Sequence, residues 1–594
     1  MNKIYIVFIF CCLFLLSNKS KADDKVWLEA EQFDHIGGWV IDPQFVDQMG
    51  SPYLLAHGLG EPVKPATTSV RFPQKGKYHF WIRTKDWSPY PKGPGKFQVQ
   101  INQDTINEVF GGNRVAEWHW QYGGTVNIRD LTVSISLLDL TGFEGRVDAL
   151  YFSKKNEEPP LSKKDLTAFR KKMLNLPSEP IDEGTFDLVV VGGGIAGISA
   201  SIQSARLGLK VALIQNRPVL GGNNSSEIRL PMQGDMDKNL FPKVGRIVRE
   251  LDTGFKGEAG SATDYGDDLK MAKISAEKNI SLFLSTHIFD VKTSGNRITA
   301  VIGRNIVTSK EHQFSGKYFV DCTGDGTVGY AAGANFKMGR EGYNETKEPK
   351  APMFSDSMTL GTTIHWYANA QDYASSFPVC DWAVQFSEKY YLESTRGAWN
   401  WETGFFWDTV ENAEKVRDHK FRVIYGHWSY LKNNLPEKYK NWKLEWMGLV
   451  AGKRESRRLI GDVFLTELDI LNNVQYPDAC ITTTWGIDLH YPDPVNSKFY
   501  PGEEFIAVAD HDRNFTPYHF PYRCLYSNNI ENLFMAGRNI SVSHIALGTV
   551  RVMKTTGMMG EVVGIAAYLC NKFDCSPREI YLNHLTDFLT MLKE

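Results

Sequence analysis

The chain has 594 residues, of which 12% are aromatic, and its formal net charge at pH 7 is −3. That length is too great for one hydrophobic core, so we expect two or three domains. The near-neutral charge provides no overall field that would attract nucleic acid or an acidic membrane, so neither is expected as a partner.

The first 22 residues have the pattern of a secretion signal. Lys3 gives a positive start, residues 4–16 form an apolar core, and the sequence S-K-A at 20–22 is a small-x-small cleavage site. The apolar core is short for a membrane span, and an uncleaved anchor is the alternative. We therefore expect a cleaved signal, a periplasmic or secreted protein, and no membrane span after signal removal.

Residues 23–153 alternate apolar and polar side chains between glycine and asparagine turns, a pattern typical of a β-sandwich. The segment resembles carbohydrate-binding jelly-roll modules, which begin with an E-A-E strand and end in a G-x-x-D-x-Φ-x-F strand, here at 29–31 and 145–152. A scaffold that has lost its sugar ligand is the alternative, because a fold does not carry function by itself.

Two site predictions come with this resemblance. It implies a structural Ca²⁺ held by carboxylate oxygens, the donors that this ion prefers, from Glu29, Glu31 and Asp148. Four tryptophans are candidates to stack on sugar rings, with core packing as the alternative: Trp39, Trp87, Trp118 and Trp120. Residues 154–183, charged and interrupted by prolines, predict a linker that holds one short helix.

A nucleotide-binding fingerprint, FDLVVVGGGIAGISASIQSARLG, begins at residue 186. A buried strand leads into the G-x-G-x-x-G spacing, where Gly192 permits a tight turn and Gly194 lets a pyrophosphate approach the backbone. Gly197 lets the following helix pack against the strand, and the free N–H groups at the start of that helix favour a diphosphate. A glycine turn without a ligand is the alternative, but the strand–helix–strand order favours a dinucleotide site.

One position departs from the usual fingerprint. Gln215 ends the second strand, where an Asp or Glu usually binds the ribose hydroxyls. An amide can still donate and accept hydrogen bonds there, and the nearby Arg217 leaves a 2′-phosphate site for NADP as an alternative. Gly221 and Gly222 provide a second close approach of backbone to the diphosphate.

Two later stretches complete the nucleotide-binding pattern. Residues 317–333 run strand, turn and helix, with Thr323, Gly324 and Asp325 in the turn. Residues 532–570 run from a strand through Gly537 and Arg538, and then through Gly548, to a helix rich in glycine, methionine and valine.

Together with the fingerprint, these stretches resemble the FAD-dependent oxidoreductases of the glutathione-reductase-like superfamily. The closer resemblance is to a family found in bacterial polysaccharide-degradation systems and sometimes labelled as xanthan lyases. That family shares an R-E-S-R-R element, a D-x-H element and a P-Y-R element, here at 454–458, 488–490 and 521–523. The resemblance spans residues 184–572 and implies FAD rather than NADP, with the N-terminus of the last helix directed at the flavin.

The predicted fold class is therefore multidomain: an N-terminal β-sandwich (jelly roll) followed by an α/β Rossmann-like FAD-binding domain with an inserted substrate or cap domain. The FAD-binding domain is predicted at 184–340 and 501–594, and the cap at 341–500. Eight of the 15 tryptophans lie between Trp366 and Trp446, inside the cap. Aromatic faces stack on sugar rings, so this favours a carbohydrate substrate, with an aromatic-rich core as the alternative.

We therefore predict oxidation of a sugar CH–OH group with the flavin as hydride acceptor, on an oligo- or polysaccharide, with an electron acceptor that the sequence does not identify. His544 is the leading candidate for the general base, because imidazole titrates near neutral pH, and His490 and His519 are the alternatives. Arg457 and Arg523 are candidates to hold an acidic sugar or the reduced flavin. The alternative functions are a lyase that uses His519, Tyr522 and Arg523, and a non-catalytic sugar-binding protein that retains FAD as structure.

Overall fold

The computed structural model describes residues 24–594, and the predicted signal at 1–22 lies outside the described residues. No helix in the described part of the chain is both long enough and apolar enough to cross a membrane. The first strands and α-helices are β1 (Lys25–Glu29), β2 (Val40–Asp42), α1 (Val46–Met49), β3 (Tyr53–Leu55), β4 (Ala66–Arg71), β5 (Gly76–Thr84), β6 (Phe97–Ile101), β7 (Asp104–Thr105), β8 (His119–Ile128), β9 (Thr132–Asp139), β10 (Arg146–Val147), β11 (Ala149–Ser153) and α2 (Lys163–Met173).

The strands β1–β11 form a region that we call the N-terminal module, residues 25–153. Two four-stranded antiparallel sheets, in the orders β1-β11-β5-β8 and β4-β9-β6-β7, contribute to one apolar core that includes Phe80, Val99, Ile135 and Leu150. Successive side chains of a strand point to opposite faces, so the buried residues of β9 alternate with exposed or partly exposed ones. The alternating strands predicted from the sequence are present.

The four tryptophans predicted to stack on sugars are packed against protein. Trp39, Trp87 and Trp120 are each at most 6% exposed. The ring of Trp118 lies 4.9 Å from that of Tyr53, and its indole N–H donates to Glu414 Oε2 at 3.3 Å. Core packing, the alternative, accounts for Trp39, Trp87 and Trp120 and contradicts sugar stacking by these three rings. Trp118 is partly exposed, so for this ring stacking on a sugar stays a prediction.

The predicted calcium ligands surround a guanidinium group. Arg170 of α2 contacts Glu29 Oε1 at 2.6 Å and Asp148 Oδ2 at 2.8 Å, and Arg83 also contacts Asp148 at 2.8 Å. Burial, and then repulsion from Glu29, raises the pKa of Glu31 well above its usual value. Among residues 24–594, no group of His, Cys, Asp and Glu side chains has the arrangement of a metal site. The Ca²⁺ prediction is wrong, because the buried arginine takes the place of a cation.

The next elements build the sheet that carries the fingerprint. They are β12 (Ile181–Val191), α3 (Ile195–Arg206), β13 (Val211–Ile214), α4 (Arg246–Leu251), α5 (Asp267–Ser275), β14 (Ile280–Phe283), β15 (Thr286–Ser294), β16 (Arg297–Asn305), β17 (Glu311–Asp321), α6 (Thr327–Ala331) and β18 (Phe336–Lys337).

A middle segment of short strands and helices follows. It contains α7 (Tyr343–Thr346), β19 (Thr362–Thr363), β20 (Trp366–Ala370), β21 (Arg396–Gly397), β22 (Glu402–Thr403), α8 (Ala413–Asn434), α9 (Pro436–Tyr439), β23 (Trp442–Met447), β24 (Arg458–Leu459), α10 (Glu467–Leu471), β25 (Ala479–Thr482), β26 (Asp488–Pro492) and α11 (Pro494–Phe499). The last elements are β27 (Ala507–His511), β28 (His519–Pro521), β29 (Leu533–Met535), α12 (His544–Val550), α13 (Met553–Phe573), α14 (Pro577–Asn583) and α15 (Leu585–Lys593).

The fingerprint strand lies in a seven-stranded sheet. Strands β14, β13, β12, β17 and β29 are parallel neighbours in that order, and the β15–β16 hairpin extends the sheet by antiparallel pairing with β17. The last long helix, α13, packs tightly on the fingerprint helix α3, because a Cβ at Gly560 would lie 2.1 Å from the carbonyl oxygen of Ala196. Strands far apart in sequence thus end at one edge of the sheet.

The aromatic residues of the middle segment form a core that includes the N-terminal module. Trp366, Trp401 and Trp428 are at most 3% exposed and belong to one apolar cluster with Trp87 and Phe143 of the module. Core packing, the alternative considered for the aromatic content, accounts for these rings. Trp399 differs, with 38% of its surface exposed.

Buried charges join the N-terminal module to helix α8. Arg146 contacts Glu414 at 2.7 Å and Asp418 at 2.5 Å, and Arg417 contacts Asp42 at 2.7 Å. Arg146 is fully buried. Such charges require their partners, because a buried ion that has lost its counter-ion is strongly unfavourable.

Arg146→Ala is expected to lower the free energy of unfolding by about 3 kcal/mol, because it removes a fully buried cation from two buried carboxylates. Among the described residues, Glu414 then keeps only Lys85 as an ion-pair partner, and Asp418 keeps only Arg417. The measurement is the denaturant midpoint of the full chain. Lys75→Ala is the matched control, since its contact with Asp130 is 3.7 Å long and both side chains are at least 60% exposed; we expect less than about 1 kcal/mol there. Equal midpoints for the two variants would contradict this view of the interface.

Candidate functional site

A cleft of about 640 Å³ lies at the carboxyl ends of the parallel strands. Its walls include a residue from just beyond the end of four of those strands. Gly192, Gln215 and Cys322 directly follow β12, β13 and β17, and Gly537 is the second residue after β29. Open α/β sheets bind ligands at this edge, and the volume is in the range of cofactor and ligand pockets.

The three fingerprint glycines have two different roles. A Cβ at Gly192 would lie 2.3 Å from the carbonyl oxygen of Cys322, and one at Gly197 would lie 1.8 Å from that of Gly192, so both permit close packing of the chain. A Cβ at Gly194 would meet only the Cα of Gly222, at 4.0 Å. Gly194 therefore leaves open space in the cleft, on the side where helix α3 begins.

The start of α3 is available to an anion. Gly194 is the N-cap and provides no side-chain cap, so the first N–H groups of this 12-residue helix keep their hydrogen-bonding capacity. Gly221 donates its N–H to the carbonyl oxygen of Gly193 at 2.8 Å and has φ 112°, which places the second glycine pair beside the first. This is the arrangement that a diphosphate requires.

Gln215 has a structural role that the sequence did not reveal. Its Oε1 accepts a hydrogen bond from the Gly193 N–H at 2.9 Å, and its Nε2 donates to the carbonyl oxygen of Val219 at 3.0 Å. The amide therefore organises the glycine loop instead of being free for the ribose. Arg217 lines the cleft and is paired through Nε with Glu227 at 2.8 Å, so a carboxylate already balances the charge that a 2′-phosphate would need.

The opposite wall is built from the turn after β17 and from the R-E-S-R-R element. Asp325 contacts Lys453 at 2.7 Å and accepts a hydrogen bond from Ser456 at 2.8 Å. Burial alone would raise the pKa of Asp325, but Lys453 and Arg538 lower it to about 2. Thr323 and Gly324 line the cleft beside it, and the Arg457 guanidinium lies 3.9 Å from the centroid of the Tyr330 ring.

Two of the arginines that line the cleft have guanidinium nitrogens without a hydrogen-bond partner among the described residues. Arg538 lines the cleft, and its buried Nη1 has no hydrogen-bond partner among the described residues. Arg551 and Met553 also line the cleft, at the start of α13, whose N-cap residue Val552 provides no side-chain cap. The predicted approach of the last helix to the cleft is therefore present, with a cation beside it.

Two of the predicted catalytic histidines are held by buried glutamates. His544 Nδ1 lies 2.8 Å from Glu455 Oε2; the imidazole is 1% exposed, and its Nε2 has no partner in the described part of the chain. His490 bonds through Nδ1 to Glu402, and its Nε2 lies 3.3 Å from Asp488 Oδ1. Neither imidazole is among the cleft-lining side chains.

His490 is nevertheless linked to the cleft and to an exposed aromatic ring. Asp488 also contacts Arg551, which lines the cleft, at 3.3 Å. The ring of Trp399 lies 5.2 Å from that of His490, with an angle of 69° between their planes. An exposed aromatic face, a histidine and a buried acid thus lie together beside the cationic cleft.

Three predicted site residues are not at the cleft. Arg523 binds Asp478 at 2.9 Å and stacks on Tyr581, and His519 Nδ1 bonds to Thr482 Oγ1 at 2.7 Å. A Cβ at Gly548 would lie 2.9 Å from the Asp488 nitrogen, so this glycine permits packing of α12. The three residues of the lyase alternative, His519, Tyr522 and Arg523, therefore do not form a site. The buried Tyr522 hydroxyl donates to the carbonyl oxygen of Pro577 at 2.9 Å.

Several cleft residues were not predicted. Lys453 precedes the R-E-S-R-R element directly and Arg551 precedes the last helix, so both were within reach of the sequence argument. Gln44, Phe45, Asp47 and Gln48 come from the N-terminal module, at least 138 residues before the fingerprint, and no local pattern connects them with it.

The fold and the cleft define a dinucleotide-binding protein of the flavoprotein class. The open space at Gly194, the unused N–H groups of α3 and the unpartnered Arg538 nitrogen fit the diphosphate and the oxygen-rich groups of FAD. The FAD dependent oxidoreductase family model matches residues 187–589, and the chain belongs to that family.

Relatives match over shorter stretches. The tRNA uridine 5-carboxymethylaminomethyl modification enzyme MnmG 1 of Fusobacterium nucleatum is 30% identical over 214 residues, which cover 31% of this chain and 32% of that enzyme. A fumarate reductase (cytochrome) of Shewanella frigidimarina is 54% identical over 48 residues, 8% of each chain. The chain thus spans at most about a third of the length of these curated relatives.

A solved structure extends over more of the chain at low similarity. The geranylgeranyl bacteriochlorophyll reductase-like protein of Thermoplasma acidophilum is 10% identical, covering 69% of this chain and 83% of that one, with a TM-score of 0.31. That score is too low to transfer any property. The family match over residues 187–589 is the finding that places the chain among the FAD-dependent oxidoreductases.

Proposed function

We propose that the protein is an exported FAD-dependent oxidoreductase that oxidises an alcohol carbon of a carbohydrate during polysaccharide degradation. The redox class rests on the family match over residues 187–589. Export is supported by the signal pattern of residues 1–22, and the carbohydrate by the site described next. The electron acceptor that reoxidises the flavin belongs to a class that these features do not specify.

The observation that carries the carbohydrate proposal is Trp399. It is 38% exposed and lies edge-on to the buried ring of His490. A sugar presents an apolar face of C–H groups and a rim of hydroxyls. An exposed indole beside imidazole, carboxylate and guanidinium groups matches both features, because aromatic rings bind the apolar face and polar groups orient the hydroxyls.

The N-terminal module has a different part in this proposal. Its two antiparallel sheets are compatible with the jelly-roll resemblance. However, Trp39, Trp87 and Trp120, three of the four rings that would bind sugar, are packed inside the protein. We therefore assign the sugar to the middle segment, near Trp399, and not to the module.

Oxidation of an alcohol requires a base for the hydroxyl proton and cations for developing negative charge. We propose His544 as that base, because its Nε2 has no partner among the described residues and its Nδ1 bonds to Glu455, which would stabilise the imidazolium that forms. The imidazole is 1% exposed and lies behind the cleft lining, so this role requires the alcohol to reach Nε2 through a bridging water or a local movement of the wall. Arg538 and Arg551 provide positive charge at the cleft wall. FAD, when bound, supplies the two-electron acceptor that converts an alcohol into a carbonyl.

Trp399→Ala is expected to weaken oligosaccharide binding about tenfold, equivalent to about 1.4 kcal/mol, through loss of the stacking face. Anaerobic calorimetric titration of neutral and uronate-containing oligosaccharides into the protein with its FAD chemically reduced measures this without turnover, because the reduced flavin cannot accept a hydride. Trp399→Phe retains an aromatic face and is expected to stay within about threefold of the wild type. Unchanged affinity in Trp399→Ala, or no affinity of the wild type for any of the sugars, would refute the proposed site.

A further inference from the structure

Part of the cofactor cleft is built by the N-terminal module. Gln44, Phe45, Asp47 and Gln48 line the same cleft as the fingerprint glycines. The segment is attached across the cleft, because Gln48 Nε2 donates to the Glu411 carbonyl oxygen at 2.9 Å and Gln44 Nε2 donates to that of Leu449 at 3.1 Å. These contacts make the segment a fixed wall of the cleft.

Asp47 presents a carboxylate to this space. Its Oδ1 lies 2.8 Å from His287 Nε2, whereas its Oδ2 makes no hydrogen bond with any residue that the structure describes. The side chain is 54% exposed although it lies on the wall of a cleft, so its accessible surface faces the ligand space. Burial opposes ionisation most strongly, but the hydrogen bond from His287 together with the positive charges of Lys163 and Arg457 outweighs it, and the pKa of Asp47 is lowered.

Asp47 is linked to the end of β13 through His287, its hydrogen-bond partner. His287 follows Thr286, whose N–H donates to the carbonyl oxygen of Gln215 at 2.9 Å. Through His287, the carboxylate is connected to the strand end where a Rossmann-type fold usually has its ribose-binding acid, and both Asp47 and Gln215 line the cleft. Gln215 occupies that place in the sequence, and both ends of its amide are bonded to the backbone of the glycine loop.

We propose that Asp47 is the carboxylate that accepts hydrogen bonds from the ribose hydroxyls of the adenosine half of FAD. The acid missing from the end of β13 is supplied from the N-terminal module, through Oδ2, while His287 orients the group through Oδ1. The module then has a function of its own: it completes the cofactor site. This inference requires FAD in the cleft and is independent of the sugar.

The test uses the flavin-free full-length protein, with ADP and 2′,3′-dideoxy-ADP as probes in calorimetric titrations. The wild type is expected to bind ADP at least tenfold more tightly, because only ADP has the hydroxyls that bond to a charged acceptor. Asp47→Ala is expected to reduce that ratio to within about twofold. Asp47→Asn, which retains the size of the side chain, is expected to give a ratio between the two and serves if the alanine variant does not fold.

Glu411→Gln is the matched control. It is a second carboxylate of the same wall: it lines the cleft, is 67% exposed and contacts Arg457 at 3.3 Å, whereas no histidine in the described part of the chain orients it. It is expected to retain the wild-type ratio. A wild-type ratio in both Asp47 variants would overturn the proposal, and so would an equal loss of affinity for both nucleotides, which would show that Asp47 acts only by supporting His287. Because no oligosaccharide is present in these titrations, their outcome does not depend on whether the proposed substrate is correct.

Discussion

Gly194→Val is expected to give a folded protein that has lost bound FAD, with at least about a hundredfold weaker affinity. The backbone of Gly194 has φ −72°, which valine adopts without strain, and the space around a Cβ there holds only Gly222 Cα at 4.0 Å. The branched side chain would fill the place where the diphosphate meets the backbone. The ratio of flavin to protein absorbance after purification with added FAD measures the loss.

Gly197→Ala separates this effect from a packing defect. Its Cβ would lie 1.8 Å from the Gly192 carbonyl oxygen, so the chain itself must move. We expect the flavin-free melting temperature to fall in Gly197→Ala and to stay near the wild-type value in Gly194→Val. Full flavin content in Gly194→Val would contradict the assignment of the cleft.

His544→Ala is expected to retain FAD and to slow reduction of the flavin by substrate at least about a hundredfold, the lower limit for loss of a general base. The reason is the free Nε2 of an imidazole whose Nδ1 is held by Glu455 at 2.8 Å. Anaerobic rapid mixing of the oxidised variant with sugar measures the rate of flavin bleaching.

His519→Ala is the control for that experiment, since His519 bonds to Thr482 away from the cleft and its loss should leave the bleaching rate within about twofold. His490→Ala tests the other histidine held by a glutamate. An unchanged rate in His544→Ala together with a slow rate in His490→Ala would assign the base to His490.

The sequence predicted the fingerprint correctly because its signals are local. Each glycine required by the strand, turn and helix lies within six residues of the next, and the structure shows the backbone contacts that require Gly192 and Gly197. The sequence shows that Gln215 departs from the usual fingerprint, but it does not show what the amide does. Its hydrogen bond with the Gly193 N–H forms only once the glycine turn has brought the two residues together.

Contacts between distant segments were beyond the sequence. The three acidic residues expected to bind calcium depend on Arg170, which was assigned to a linker, and the pairing requires helix α2 to pack against β1. The contribution of Gln44 and Asp47 to the cleft depends on the docking of the N-terminal module against helix α8, where Arg146 and Arg417 form buried ion pairs. The density of tryptophans in the sequence likewise does not distinguish the buried Trp366 from the exposed Trp399, because burial depends on which segments pack over each ring.

The central claim is that a sugar reduces the FAD of this protein. The most direct measurement is anaerobic mixing of the FAD-loaded wild type with a panel of neutral and acidic oligosaccharides, recording flavin absorbance and the carbonyl content of the sugar. The account predicts bleaching by at least one sugar, with one carbonyl formed for each flavin reduced. A flavin that stays oxidised with every sugar, or bleaching without carbonyl formation, would contradict it.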